Sequence, residues 1–338
     1  MSLSNRRSEV IQLLKIAAAV VVFVAVGRHV ARTWIDLRTR HAALVVDPAW
    51  ILAAVVFYVT GLTCQGLFFQ RVLARGAVAV GVLPAVRAYL ISHLAKYVPG
   101  KAMVVLVRVG LVVPHGARTS TAAIATFYET FVMMAAGGLI GAAGFAASRA
   151  YPLAGVSLAL GLLFLIVVAP RVFPAVARIA TKPFRGVGTE AQPRISGGLL
   201  AEGLALSSAG WLLLGLSLFA VTRGVSTGEH VVPASALPML LGGVTLATVG
   251  GFVVAIAPGG LGVREGILMT ALEPTLGADG SVVAALALRL TWVAAETLAG
   301  AILAGVGRAP KPLSPQVETD ASPPIEQHLE STQDYVTQ

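Results

Sequence analysis

The stretch VVAIAPGGLGVREGIL, residues 253–268, decides how the chain folds. An apolar run that opens near residue 234 is cut here by Pro258, Gly259, Gly260 and Gly262, and Arg264 and Glu265 follow the cut directly. Proline removes a backbone donor and glycine frees the backbone angles, so one helix ends here and another begins. Unpaired backbone groups are costly in hydrocarbon, and such a break survives at membrane depth only inside protein or beside water. The stretch therefore reads as the tip of a helical hairpin that dips into a bilayer.

The composition supplies the bilayer. Of 338 residues 56% are hydrophobic and 12% charged, with a mean hydropathy of +0.82. Apolar runs fall at roughly 10–27, 49–70, 84–113, 119–147, 151–170, 199–221, 234–277 and 281–306, several of them near the ~20 residues that cross a membrane. They are continuous rather than alternating, which excludes a β-barrel. The first run lacks a small-residue cleavage site and reads as a retained span. A single cysteine, Cys64, rules out disulfides and cysteine metal sites. The net charge of +9 is scattered between spans, as topology signals are, and not clustered with aromatics as in nucleic-acid binders.

Two runs differ from the rest. The third is interrupted by Lys96-Tyr97-Val98-Pro99-Gly100-Lys101 and the seventh by the segment quoted above. Each half is about 15 residues, or ~22 Å of helix, short of the ~30 Å hydrocarbon core. The expected fold is an all-α polytopic integral membrane protein, with about six full spans plus two re-entrant helical hairpins in an inverted repeat. It occupies residues 1–308, in halves of about 10–147 and 151–307. Residues 309–338, rich in Pro, Ser, Glu and Gln, read as a disordered cytoplasmic tail. Arg171, Arg178, Lys182, Arg185 and Arg194 place the 171–198 loop in the cytoplasm, and both termini with it. The first hairpin then enters from the cytoplasm and the second from outside. Arginine outnumbers lysine among abundant Ala, Val and Gly, which points to a GC-rich bacterial genome and a bacterial cytoplasmic membrane.

Each break leaves free N–H groups at the start of the returning half-helix, where the helix dipole favours an anion. Lys101 and Arg108 follow the first break and Arg264 the second. Glu129 and Glu296 sit mid-span, and charges at that depth face a cavity or each other. Arg289 precedes Glu296 by seven residues on the same helix face; a structural ion pair and a functional role are equally open for it. Tyr89, His93 and Lys96 also share a face, read as a solvated amphipathic surface rather than as a lining of the hairpin. Gly137-x-x-x-Gly141 reads as close helix packing, and the four tryptophans as partial interface anchors. His93, His115 and His230 have no metal-ligand spacing.

Enzyme signatures are missing. Gly260-x-Gly262 with Gly266 lacks the dinucleotide spacing, Gly100-Lys101 lacks the rest of a P-loop, and no hydrolase elbow, zinc motif or aspartate cluster occurs. The expectation is a protein without cofactor that is not an enzyme.

Three segments carry a resemblance: SHLAKYVPGKAMVVLVR (92–108), FYETF (127–131) and APGGLGVREGIL (257–268). Over about residues 10–307 the chain resembles the transmembrane region of the lysylphosphatidylglycerol synthase family, the flippase-like domain. The sequence carries no counterpart of the soluble aminoacyl-transfer domain of some members, so the resemblance implies the lipid-translocating module alone. It carries over Pro99, Gly100, Lys101, Arg108 and Glu129, and then Pro258, Gly259, Gly260, Gly262, Arg264 and Glu265; the family's arginine after the mid-span glutamate is Thr130 here.

The expected function is translocation of an anionic or phosphate-bearing lipid through a polar cavity between the hairpins. Lys101, Arg108 and Arg264 would hold phosphate, and Glu129, Glu265 and Glu296 would balance charge. The alternatives are a membrane-embedded lipid or polyprenyl-phosphate transferase, and a membrane partner of a separate biosynthetic enzyme. Membrane lipid is the expected partner; a homodimer and a separate lipid-modifying enzyme are left open.

Overall fold

The computed structural model describes residues 45–76, 80–97, 102–180, 193–226, 232–253 and 263–305, with Arg28 and Ile35. The expected first span, both Pro-Gly breaks (Pro99, Gly100, Lys101; Pro258, Gly259, Gly260, Gly262) and the tail lie outside the described residues. The described chain is helical, apart from a two-residue antiparallel pairing of β1 (Val45–Val46) with β2 (Val225–Ser226). Its helices are α1 (Pro48–Ala74), α2 (Val82–His93), α3 (Ala102–Val112), α4 (Thr119–Ala147), α5 (Tyr151–Val168), α6 (Phe173–Ala180), α7 (Gly197–Gly224), α8 (Leu237–Val253) and α9 (Val263–Gly305). Among the described residues six helical segments are long and apolar enough to cross a membrane: 48–74, 119–147, 151–168, 197–224, 234–253 and 264–305.

Local chemistry sets the ends. The Asp47 carboxylate accepts from Ala49 N at 2.9 Å and Pro48 opens α1, where its missing N–H costs nothing. Ser196 caps α7 through Leu199 N at 3.2 Å. α1 and α7 are antiparallel and fastened at both ends. Asp47 N donates to Gly224 O at 2.8 Å beside the β pairing, and Arg71 Nε lies 3.0 Å from Glu202 Oε1 at the other end. Between these ties the pair is held by polar groups on apolar helices. Ser207 Oγ donates to Gln65 Oε1 at 2.9 Å, and Ser217 Oγ to Ala54 O at 2.8 Å.

The central helix is α4, on which α1, α3, α5, α7 and α8 all pack. Gly137 lets the Trp211 indole of α7 lie against it, and Gly141 admits Thr245 of α8; the small-residue pair is a packing device, as read, though toward two different helices. On α5, Leu158, Leu162, Leu163 and Ile166 are exposed, a surface suited to lipid.

Three features differ from the sequence reading. Trp211 and Trp292 are buried rather than interfacial. Each indole N–H is satisfied internally, by Met133 O at 2.8 Å and Ser217 Oγ at 3.0 Å, which removes the reason to seek the headgroup region. The limb before the second break is longer than a half-span, because α8 starts at Leu237 with Pro238 in its first turn, where proline is tolerated. The limb after it continues into the last span. α9 bends at Gly277, whose φ of 72° is open to glycine, and its arms cover 263–276 and 278–305. The first broken run yields helices of 12 and 11 residues, α2 and α3, too short to span.

Candidate functional site

Among the described residues two ionic networks lie inside the helix bundle. The first is sealed. Arg108 on α3 is 2% exposed and Glu129 on α4 is fully buried. Arg108 Nη1 donates to Glu129 Oε2 at 3.0 Å and Nε donates to Ser92 Oγ at 2.9 Å. The Tyr89 hydroxyl donates to the other carboxylate oxygen at 3.1 Å, and the Tyr89 ring lies 4.0 Å from the Arg108 guanidinium carbon. Thr130 Oγ1 donates to Thr126 O at 2.8 Å and lies 3.3 Å from Glu129 Oε2. Charge, hydrogen bonding and aromatic contact are thus all met inside the protein, as a buried pair requires. The glutamate finds its cation in Arg108, on another helix, and not at position 130.

The second network is centred on Glu296 in the second arm of α9, residues 278–305. Lys96 Nζ lies 2.5 Å from its Oε1, His93 Nε2 lies 3.8 Å from the same oxygen, and the Tyr58 hydroxyl donates to it. Tyr58 stacks on Trp292 with centroids 4.4 Å apart. Seven residues before Glu296, Arg289 Nη1 lies 2.5 Å from Glu265 Oε1. Arg264 donates to Thr248 Oγ1 of α8 at 2.5 Å, and its guanidinium carbon lies 5.1 Å from the Trp292 ring centroid. His93 and Tyr89 stack at 5.9 Å, so these two rings connect the sealed network to the open one.

A pocket opens onto the second network, holding about 360 Å³ of empty space with its mouth included. Lys96, Tyr97, Arg264, Glu265, Leu268, Ala285, Leu288, Arg289 and Trp292 line it. Among the described residues Arg264 has no carboxylate within ion-pair distance. Cations thus outnumber carboxylates at this wall, three to two with Glu296 counted behind Lys96. That excess favours a visiting anion.

The structure therefore brings Arg264, Glu265 and Glu296 into one network and keeps Arg108 and Glu129 in another; Arg108 is not among the pocket's lining residues. Pro99, Gly100, Lys101, Pro258, Gly259, Gly260 and Gly262 lie outside the described residues. The Tyr89-His93-Lys96 face corrects the expectation of a solvated surface. It points inward, with the His93 and Lys96 side chains 17% and 19% exposed and Tyr89 buried. The spacing was a usable signal; on a short helix among lipid-facing neighbours, the polar face turns toward the protein interior. Tyr58, Thr248 and Trp292 had no such signal, since each is an isolated polar or aromatic residue in an apolar run. Among the described residues no cluster of His, Cys, Asp or Glu could hold a metal ion.

Fold and site define a multi-pass helical membrane protein with one sealed ion pair and a second set of charges around a pocket. The chain matches the lysylphosphatidylglycerol synthase TM region over residues 11–300, and it belongs to that family. Membership gives it a membrane lipid-related role. No curated protein matches the chain.

Proposed function

We propose that the protein translocates an anionic or phosphate-bearing lipid across the bacterial cytoplasmic membrane, with both termini in the cytoplasm. The headgroup passes through the pocket beside Arg264, and the acyl chains stay in the bilayer. The observation that carries this reading is Arg264 itself, a cation inside an apolar bundle with no carboxylate partner among the described residues. An uncompensated charge at that depth costs several kcal/mol, and a headgroup phosphate offsets it at the moment of passage. Glu265 and Glu296 hold Arg289 and Lys96 in place and return the site to balance when the lipid leaves.

The antiparallel α1/α7 pair supports an inverted repeat, because those are the second spans of the two expected halves. No nucleotide motif supplies energy, so transport is passive or driven by an ion gradient. The protein is a carrier without cofactor, not an enzyme, and its partner is the lipid.

The test is reconstitution into vesicles with a fluorescent phosphate-bearing lipid and addition of an outside reductant. The expected result is a bleached fraction above that of protein-free vesicles, lost in Arg264→Ala. Turnover of the lipid to a new product by purified protein would instead establish a transferase, and equal bleaching in the variant would remove the site assignment.

A further inference from the structure

Arg289 is bonded on one side only. Its Nη1 donates to Glu265, while Nε and Nη2 are buried without a hydrogen-bond partner among the described residues. The side chain is 8% exposed and lines the pocket. A buried charged donor left unmet is costly, and native structures rarely tolerate two on one group. The identity of the two atoms matters. Nε and the Nη trans to the side chain form one edge of the guanidinium, with parallel N–H bonds that match two oxygens of a carboxylate or phosphate. Glu265 occupies the other end of the group. Tyr97, its ring centroid 5.6 Å from the guanidinium carbon, covers one face.

We propose that the Nε–Nη2 edge of Arg289, covered in this structure, turns into the pocket as a bidentate oxyanion subsite that grips two coplanar oxygens of an entering phosphate or carboxylate. The subsite selects headgroups by geometry as well as charge: a doubly oxygenated anion fits, and a neutral headgroup does not. It rests on the reading of this pocket as the headgroup seat, and assigns to Arg289 the specificity-determining contact there, with Arg264 as the second cation.

The test is equilibrium binding to the purified full chain in detergent. Isothermal titration is run with inorganic phosphate, with dihexanoyl phosphatidic acid, and with dihexanoylglycerol as the phosphate-free control. Wild type is expected to bind the phosphate-bearing ligand and not the control. Arg289→Lys keeps the charge beside Glu265 but loses the fork, and is expected to bind about tenfold more weakly. Binding of both phosphate ligands identifies a site for the free anion as well as the lipid; binding of the lipid alone identifies a headgroup site; either supports the subsite. If the lysine variant does not fold, Ala285→Met, which fills the same pocket without altering a charge, is expected to abolish binding. Wild type that binds neither phosphate ligand overturns the proposal, as does a lysine or methionine variant with undiminished affinity. Phosphate binding without lipid movement in vesicles would remove translocation and leave the subsite; lipid movement with unchanged Arg289→Lys binding would do the reverse.

Discussion

Lys96 Nζ lies 2.5 Å from Glu296 Oε1, an ion pair that joins residues 200 apart in sequence. It ties the short helical turn after α2 to the middle of the last helix, at the wall of the pocket. A buried pair is weak evidence of net stability, but removing one partner leaves the other charge stranded. Lys96→Met is therefore expected to destabilise the protein by about 3 kcal/mol, with Tyr58 and His93 left as poor compensation for the carboxylate. Lys96→Met combined with Glu296→Leu is expected to recover most of that loss. Thermal unfolding of wild type, Lys96→Met, Glu296→Leu and the double variant in one detergent decides it; a double variant as unstable as the sum of the two singles would show that the pair is not the coupled unit.

Much of this arrangement was legible in the sequence, and the reason is energetic. Ionisable groups in apolar runs are so costly that each announces a partner or a cavity, and Arg108, Glu129, Arg264, Glu265 and Glu296 are all buried or half-buried. Hydropathy gave the long helices for the same reason. The pairing was not legible. Glu129 finds Arg108 across 21 residues and Glu296 finds Lys96 across 200, and such partners are set by helix packing that no local pattern encodes. Arg289 and Glu265 are 24 residues apart, and the bend at Gly277 folds one arm of α9 back toward the other.

The sealed network predicts a graded loss. Tyr89→Phe removes one of several bonds to Glu129 and is expected to cost about 1 kcal/mol. Arg108→Leu strands a carboxylate that is fully buried and is expected to cost about 3–5 kcal/mol, enough to lower the yield of folded protein. Glu129→Gln, which keeps the shape but leaves only one acceptor oxygen for the two donors Arg108 and Tyr89, is expected to fall between them. The ranking of thermal midpoints checks this. An Arg108→Leu protein as stable as Tyr89→Phe would mean the pair is wetter than its burial indicates.

Arg264 predicts the opposite balance of stability and activity. Its removal strands no carboxylate and costs only the bond to Thr248 and the contact with Trp292. Arg264→Ala is expected to leave the thermal midpoint unchanged or raise it while lipid movement falls at least about tenfold, the trade-off usual where a site stores unfavourable charge. Flux per reconstituted protein, set beside the unfolding curve, separates the two effects. A variant that loses stability and flux together would make Arg264 a packing residue instead.

Gly137 predicts a purely steric effect, away from every charge. A Cβ there would stand 2.7–2.9 Å from three atoms of the Trp211 indole, a fully buried ring with its N–H committed to Met133 O at 2.8 Å. The ring has nowhere to move without breaking that bond, so Gly137→Ala is expected to cost about 1–3 kcal/mol as overpacking. Gly155 on α5 meets nothing within 4 Å, and Gly155→Ala is expected to be neutral or to stabilise by about 0.5–1 kcal/mol, since alanine is the better helix former. The two substitutions add the same methyl group to helices in the same bundle, so their difference isolates the contact. Opposite shifts in thermal midpoint, with Trp fluorescence altered only in Gly137→Ala, are the expected result; equal shifts would show that α4 and α7 are not in close contact at Gly137.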